Sequence, residues 1–470
     1  MTLSKIKFLA KYLTFVPFDS ATEGGRSNER YRRIALSTGT SIFHKLVTVF
    51  TGLISIPLTV NYLGEERFGL WMAITSVIAL LAFADLGLGN GLVNAVAKAE
   101  GENDLEYLQK AVSSTFFILL VVSLVFSVVL FILYPLVNWS SIFNVQTKVA
   151  ITESGPTIFV LMSFFILNIP LGIISKIRIG LQEGYQDNFW LGMGAIIGFM
   201  GVLITIYFKL GLPYLVGSIM VGPLVALIAN GYLLFYKRLY LLPKFNNFNF
   251  NISKNLLKVG FYFFLLQAFA VLSNSADNII IAQVMGISSV ATYAITKKLF
   301  LIIQITQFVI APMWPAFIES LSRKNYRWAK SSLIKILKYS MFFGALTALP
   351  LLFFGDAIIK FWINENVIPS FYLLFGFFLF TIFQNYGGSM SVFLNNEDLI
   401  KKQLVFYSIA SISALILQIV FIKIFGLPGV IFGLLLGFLM FYTVPAYKLA
   451  FGYLDNKIKQ TEEKYNTPIN

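Results

Sequence analysis

The fold is decided by the stretch from Ala84 to Lys98, which reads Ala-Asp-Leu-Gly-Leu-Gly-Asn-Gly-Leu-Val-Asn-Ala-Val-Ala-Lys. It closes a long apolar segment that begins near Phe68. A broken helix in a membrane frees backbone groups that lipid cannot satisfy, so it is tolerated only inside protein or beside a wet cavity. We interpret this break as a marker of a transporter interior; the alternative is that the glycines allow close helix packing. The motif residues are Asp85, Gly87, Gly89, Asn90, Gly91 and Asn94.

The composition is typical of a membrane protein. The chain has 470 residues, of which 57% are hydrophobic and 12% are charged, whereas about a quarter of a soluble domain is charged. The sequence contains no cysteine and a single histidine, His44. Disulfides, thiol catalysis and metal sites built from cysteine or several histidines are therefore excluded. The net charge of +14 lies mostly in short loops between apolar runs, so we expect no nucleic-acid partner.

Apolar runs of about 20 residues recur along the chain, and each can cross ~30 Å of hydrocarbon as a helix. The predicted spans are 39–62, 68–92, 111–136, 155–178, 187–208, 213–236, 256–284, 289–317, 332–354, 369–394, 403–424 and 428–450. With the N-terminus inside, the outer loops carry few basic residues, namely Arg67, Lys148, Lys209, Lys360 and Lys423. The positive-inside rule then predicts that both termini are cytoplasmic.

The chain repeats itself. The turn Asn61–Gly64 resembles Gln283–Gly286, and the tripeptide Gly211–Pro213 recurs at Gly426–Pro428. Six spans separate corresponding points, so the two halves are predicted to run parallel about an axis along the membrane normal. The predicted segments are a cytoplasmic N-terminal segment 1–38, an N-lobe 39–236, a basic linker 237–255, a C-lobe 256–450 and a cytoplasmic tail 451–470.

Polar residues at helical spacing mark one face of span 1 and one face of span 7, and such residues usually face a bundle interior. We take the two polar faces as the two sides of a hydrated cavity. The sequence therefore predicts an all-α polytopic membrane protein with about twelve transmembrane helices in two pseudo-symmetric six-helix lobes around a central cavity.

Asp277 is the most unusual residue within a predicted span. It precedes the turn at Gly286 by about as many residues as Lys297 and Lys298 follow it, so a pair with one of these lysines is expected across antiparallel helices. One interpretation is a structural ion pair. The other is a gate or a site for a coupling cation, with Asn274 and Asn278 as neutral oxygen ligands.

Further basic residues lie at the inner ends of spans. Lys45 lies near the inner end of span 1, and Lys176 and Arg178 end span 4. These side chains could snorkel to the lipid headgroups, or they could form a cationic vestibule for an anionic headgroup. Arg suits phosphate because its planar fork donates two parallel hydrogen bonds.

No enzyme site is predicted. The sequence has no Walker loop, and no predicted outer loop exceeds about 20 residues, so there is no room for an extramembrane catalytic domain. Membrane polymerases and lipid-linked glycosyltransferases usually need a sizeable outer loop that carries acids or arginines. A purely structural scaffold would leave Asp277 unexplained.

The order and count of spans, the basic linker and the motif Asp85–Asn94 resemble the polysaccharide-exporter family, the O-antigen flippases of the superfamily that also holds the multidrug and toxin extruders. The turn from Leu63 to Trp71 and the run Asp277–Ile281 are also similar to that family's pattern. The resemblance covers residues 35–450.

The resemblance implies a flippase that moves undecaprenyl-diphosphate-linked oligosaccharide to the outer leaflet of the inner membrane. It implies alternating access driven by a Na⁺ or H⁺ gradient, with no other cofactor. It also implies a cationic substrate cavity, for which the candidates here are Lys45, Lys176, Arg178, Lys297 and Lys298. The expected partners are the lipid-linked oligosaccharide and membrane lipid, with a polymerase and a chain-length regulator as further candidates, and the chain is expected to be a monomer. The alternatives are a cation-coupled multidrug exporter and a membrane polymerase or glycosyltransferase.

Overall fold

The computed structural model describes residues 14, 16–19, 21–64, 66–71, 74, 85–143, 145–302, 306–363 and 369–466. The regular secondary structure of this described part is helical throughout. The described helices are long and apolar, so the predicted all-α polytopic membrane fold is confirmed. The chain divides into two compact units, Met1–Phe261 and Tyr262–Asn470.

The N-terminal unit is a helical bundle. Its helices are α1 (Glu23–Leu63), α2 (Leu88–Glu102), α3 (Leu105–Leu136), α4 (Trp139–Ile142), α5 (Lys148–Leu171), α6 (Ile173–Gly180), α7 (Gly184–Tyr207) and α8 (Leu212–Lys237). Helix α9 (Phe250–Met285) begins in this unit and continues into the second. Two 3₁₀ turns, Leu239–Leu241 and Phe245–Asn247, lie in the predicted linker. The linker is tied to α3, because the backbone N–H of Asn249 donates to the Ser114 hydroxyl at 3.0 Å.

Short polar side chains set the starts of several helices. The Thr22 hydroxyl accepts from the Gly25 N–H at 3.0 Å, and the Asp104 carboxylate accepts from the Tyr107 N–H at 2.9 Å. Each bond satisfies one of the backbone donors that a helix N-terminus leaves without a partner. Helix α1 thus begins well before the predicted span 39–62, inside the segment 1–38 that the sequence predicts as a cytoplasmic N-terminal segment.

The C-terminal unit contains the second set of helices. They are α10 (Ile287–Ile302), α11 (Gln307–Ile310), α12 (Met313–Ser322), α13 (Tyr326–Ile363), α14 (Phe371–Leu394), α15 (Ile400–Phe425), α16 (Leu427–Phe438) and α17 (Val444–Asn466), with a π-helical turn at Leu439–Thr443 between α16 and α17. Helix α17 runs on through most of the predicted tail 451–470.

The repeated motifs are repeated structural features. Helix α1 ends before Gly64, whose φ is +76°, and α9 ends before Gly286, whose φ is +86°. Glycine adopts this left-handed conformation at little cost because it lacks a Cβ. Likewise, α8 begins at Leu212 and α16 at Leu427, each with proline in the first turn, where its missing N–H costs nothing.

Nine of the described helical segments are long and apolar enough to cross a membrane. They correspond to all but three of the predicted spans. About half of the span 68–92, including its middle, lies outside the described residues. The span 289–317 is not one helix but the separate pieces α10, α11 and the start of α12. The span 369–394 is the 24-residue helix α14, whose glycines and amides lower its hydropathy but whose length of ~36 Å suffices to cross.

Candidate functional site

The glycine-rich motif forms a turn that starts α2. Leu86 and Gly87 have φ of +51° and +72°, and α2 begins at the next residue. The Asp85 carboxylate accepts from the backbone N–H of Gly87 at 2.9 Å and of Gly89 at 3.2 Å. Asp85 therefore caps α2, and its negative charge lies at the positive end of the helix dipole.

The glycines of this motif let α2 approach its neighbours closely. A Cβ on Gly91 would lie 3.2 Å from the carbonyl oxygen of Leu256 on α9, and a Cβ on Gly260 would lie 3.1 Å from the backbone nitrogen of Leu88. A Cβ on Gly89 would lie 2.8 Å from the Lys176 Cε atom. These distances agree with close helix packing, the second of the two interpretations offered by the sequence, and the choice between packing and a cavity stays a prediction.

Three of the predicted residues, Asp85, Asn90 and Lys176, lie together at the start of α2. The ammonium of Lys176, on α6, donates to the Asn90 side chain at 3.0 Å. Asp85 and Asp187 are its electrostatic partners. Asn94, one turn further along α2, is buried and has an interaction partner within the protein. The structure thus joins the glycine motif to one of the candidate phosphate-binding cations, a connection that sequence reasoning missed because α2 and α6 are far apart in the chain.

Arg178 lies in a buried polar network where α6, α7 and α8 meet. Its guanidinium is 1% exposed and donates to the Glu183 carboxylate at 2.7 Å and to the Asn230 side-chain oxygen at 3.0 Å. Asn230 donates in turn to Asp187 at 3.1 Å. Glu183 also accepts from Arg238 at 2.7 Å. The Arg178 guanidinium therefore donates its hydrogen bonds to groups inside the N-terminal unit. Its predicted role in substrate binding stays a prediction.

The buried carboxylate of Glu183 is held in its charged form. Burial acts to raise the pKa of Glu183, but hydrogen bonds and charge from Arg238 and then Arg178 outweigh it and lower the pKa below the usual range. Glu183, Asp187, Asn230 and Arg238 were not predicted as site residues. The available signal was the pair Asp187 and Asn230, two polar residues inside apolar runs.

Asp277 pairs with Lys297 in the C-terminal unit. The side chain of Asp277 is fully buried, and the Lys297 ammonium donates to its Oδ2 atom at 2.5 Å. The turn at Gly286 makes α9 and α10 antiparallel neighbours, which brings the two residues to the same depth. Tyr293 is also fully buried and close enough to interact electrostatically with Asp277.

The other candidate residues do not join this pair. Lys298 and Lys45 are exposed, and so is the side chain of Asn278, although its backbone N–H donates to the Asp277 Oδ1 atom at 2.8 Å. The side chain of Asn274 lies outside the described residues. Within the described part, no three His, Cys, Asp or Glu residues converge as a metal site would require. In the part of the chain that the structure describes, the buried Asp277 carboxylate is thus paired with the Lys297 ammonium.

Comparison with known proteins gives consistent matches. The family described as polysaccharide biosynthesis protein matches residues 37–321. A Salmonella typhi protein named as an O-antigen transporter is 24% identical, across 89% of this chain and 96% of its own. A Yersinia pseudotuberculosis protein named as an O-antigen export protein is also 24% identical, across 84% of this chain and 91% of its own.

Solved structures share the fold. An outward-facing multidrug resistance MATE family transporter of the MOP superfamily has a TM-score of 0.75 at 17% identity, with 91% of this chain and 96% of that chain covered. A MOP superfamily transporter from Pyrococcus furiosus has a TM-score of 0.74 at 17% identity, with 91% and 96% covered. At this identity the likeness concerns the fold alone.

Proposed function

Because this chain belongs to the polysaccharide biosynthesis protein family, we propose that it is a membrane transporter that flips undecaprenyl-diphosphate-linked oligosaccharide between leaflets. The resemblance noted from the sequence is thereby confirmed at the level of the family. The observation that carries the proposal is the similarity along nearly the whole chain to proteins named as O-antigen transporters, which also makes an enzyme the weaker alternative.

The physics of the substrate agrees with this proposal. An oligosaccharide diphosphate cannot cross hydrocarbon unaided, because its polar groups would lose water and gain nothing in return. A multi-pass helical protein can shield the sugars while the polyprenyl tail remains in lipid. We place the protein in the inner membrane with both termini cytoplasmic, acting as a monomer beside a polymerase and a chain-length regulator.

The exposure of the candidate lysines and arginine indicates which of them can contact the diphosphate. Lys45 and Lys298 are exposed, so an anionic headgroup can approach their ammonium groups. The positive charge of Lys176 is attracted to the Asp85 carboxylate. Lys297 and Arg178 form ion pairs with carboxylates inside the protein. We therefore expect the two exposed lysines to contribute most to phosphate binding.

Ion coupling is proposed for the Asp277–Lys297 pair. A proton or Na⁺ that takes the place of the Lys297 ammonium at Asp277 would release α10 from α9. Such binding drives transport only if the ion and the substrate favour different conformations of the protein. No other cofactor is needed for this cycle.

The test is leaflet-resolved detection of the lipid-linked substrate in proteoliposomes. A membrane-impermeant glycosidase cleaves the substrate in the outer leaflet only, so a flippase raises the cleaved fraction from about half towards completion. A Na⁺ or H⁺ gradient should change this rate, and Lys45→Ala should slow it while Lys423→Ala, at another exposed lysine, should not. A multidrug exporter would instead leave the cleaved fraction at half and move tetraphenylphosphonium.

A further inference from the structure

The C-terminal unit contains a cavity of about 310 Å³ beside the π-helical turn. Its walls come mainly from α14, α15, α16 and that turn, with Ser273 of α9 and Gln307 of α11 completing them. The volume lies at the lower end of the range of ~300–1,000 Å³ for small-molecule sites. Among the candidate residues whose side chains the structure describes, none lines this cavity.

Two adjacent glycines create the space. Gly387 and Gly388 present no side chain on the face of α14 that lines the cavity. A Cβ on Gly387 would meet the Tyr442 ring at 3.8 Å, which is an ordinary van der Waals contact, so a side chain there would not clash at its first carbon. The π-helical turn, in which one residue is added to the helix, places Tyr442 and Thr443 at the opposite wall. Such turns are frequent at functional sites.

The polar lining is neutral. It consists of amides and hydroxyls, and the lining residues that the structure describes include no Asp, Glu, Lys, Arg or His. Amides and hydroxyls both donate and accept hydrogen bonds, as sugar hydroxyls do. A diphosphate would lack a partner of opposite charge in this cavity, and burying a charge without one is costly. The lining therefore favours a neutral polar ligand.

Buried Gln403 orients two of these hydroxyls. Its side-chain amide donates to the Ser391 oxygen at 2.7 Å and to the Tyr442 oxygen at 3.4 Å. Because both oxygens accept from Gln403, their own protons are left to donate elsewhere, and both residues line the cavity. Gln403 is fully buried, and its side-chain oxygen has no hydrogen-bond partner within the described residues. A fixed amide with an unsatisfied acceptor is costly in a purely structural position.

Aromatic rings form much of the remaining wall, together with Leu434 and Leu435. Tyr407 lies 5.3 Å from Phe438 and 5.4 Å from Tyr442, measured between ring centroids, and Phe380 and Phe383 also line the cavity. A pyranose ring has an apolar C–H face and a rim of hydroxyls. The C–H face can pack on these rings, and the hydroxyls can bond to the amides and to the Ser391 and Tyr442 hydroxyls.

We propose that this cavity binds one neutral sugar ring. The inference rests on the proposed function in that it names the part of the lipid-linked substrate that the C-terminal unit recognises. The site selects by ring and hydroxyl pattern, and it makes no contact with the diphosphate. Recognition of the charged linkage and of the sugar is thereby divided between different residues.

The test measures binding alone, by saturation-transfer NMR of methyl α-mannoside, methyl α-rhamnoside and methyl β-N-acetylglucosaminide with the full chain in nanodiscs. At least one glycoside should show transfer to its ring protons. Gly387→Leu fills the cavity and should abolish the signal. Ser391→Ala removes one hydroxyl and should weaken binding roughly three- to tenfold. Gly452→Leu should change nothing, because its Cβ would meet no atom within 4 Å.

The proposal is overturned if no glycoside gives a signal with the unaltered chain, or if Gly387→Leu and Ser391→Ala both retain full binding. It is also overturned if Gly387→Leu abolishes binding of tetraphenylphosphonium and not of a glycoside. Thermal unfolding of each variant checks that it is folded, and Ser391→Ala keeps the test decisive if Gly387→Leu is not. Intact sugar binding without flipping refutes the proposed function only, whereas normal flipping without sugar binding refutes this site only.

Discussion

Replacing Lys297 by glutamine should destabilise the C-terminal unit more than replacing Asp277 by asparagine. The two partners differ in burial, since the side chain of Asp277 is 0% exposed and that of Lys297 is 18% exposed. Without Lys297, a carboxylate remains inside the protein with no cation. Without the Asp277 charge, the flexible lysine stem can carry its ammonium towards the surface.

The magnitudes follow from this asymmetry. Stranding a fully buried charge costs about 3–5 kcal/mol, which lowers the folded-to-unfolded ratio by a factor of about a hundred or more. Asp277→Asn keeps the shape of the side chain and strands a cation that can reach the surface, so we expect about 1–3 kcal/mol. The double variant replaces both charges by neutral groups and should lose less than Lys297→Gln alone.

The assay is equilibrium unfolding in mixed detergent micelles, followed through the fluorescence of the chain's 6 tryptophans. The matched control is Lys298→Gln, because Lys298 is the next residue and is exposed. It should change the free energy of unfolding by no more than about 0.5 kcal/mol. Flipping is measured on the same preparations. If the pair couples an ion to transport, the double variant recovers stability but loses the response to the gradient.

Two results would refute this reasoning. One is equal destabilisation by Lys297→Gln and Asp277→Asn, which would mean that burial does not decide the cost. The other is a coupling energy below about 0.5 kcal/mol between the two substitutions, which would mean that they do not interact. Normal stability together with normal flipping in Asp277→Asn would remove the residue from both the structural and the coupling roles.

Three further predictions concern other parts of the chain. Arg178→Ala should cost about 3–5 kcal/mol, because it removes the buried cation of a carboxylate network, whereas Lys423→Ala should be nearly neutral by the same unfolding assay. Gly260→Val should cost about 1–3 kcal/mol, since its Cβ would lie 3.1–3.2 Å from backbone atoms at the start of α2, which would have to shift; unchanged thermal stability would contradict the packing interpretation. In this cysteine-free chain, a cysteine at Lys148 should react with an impermeant maleimide added to intact cells and one at Asn247 should not, and labelling at Asn247 would reverse the orientation.

The fold class and the family could be predicted from the sequence because their signals are local or periodic. Runs of about 20 apolar residues predict helices that cross a membrane whatever their neighbours are. Gly64 and Gly286 end their helices because a left-handed residue favours glycine, and this too depends only on the local backbone. The motif from Asp85 to Asn94 and the order of the spans likewise identified the family before any contact was known.

The pairing of side chains was decided only by the tertiary structure. The sequence placed Lys297 and Lys298 at equal depth, yet neighbouring residues on a helix point about 100° apart, so the packing of α10 on α9 selects Lys297. Arg178 was expected at a wet or lipid-facing end, but the approach of α7 and α8 encloses it with Glu183 and Asn230. The cavity beside Gly387 arises in the same way. Such contacts join residues that are far apart in the chain. Their geometry depends on how whole helices pack against each other, and this packing cannot be read from the composition of a single span.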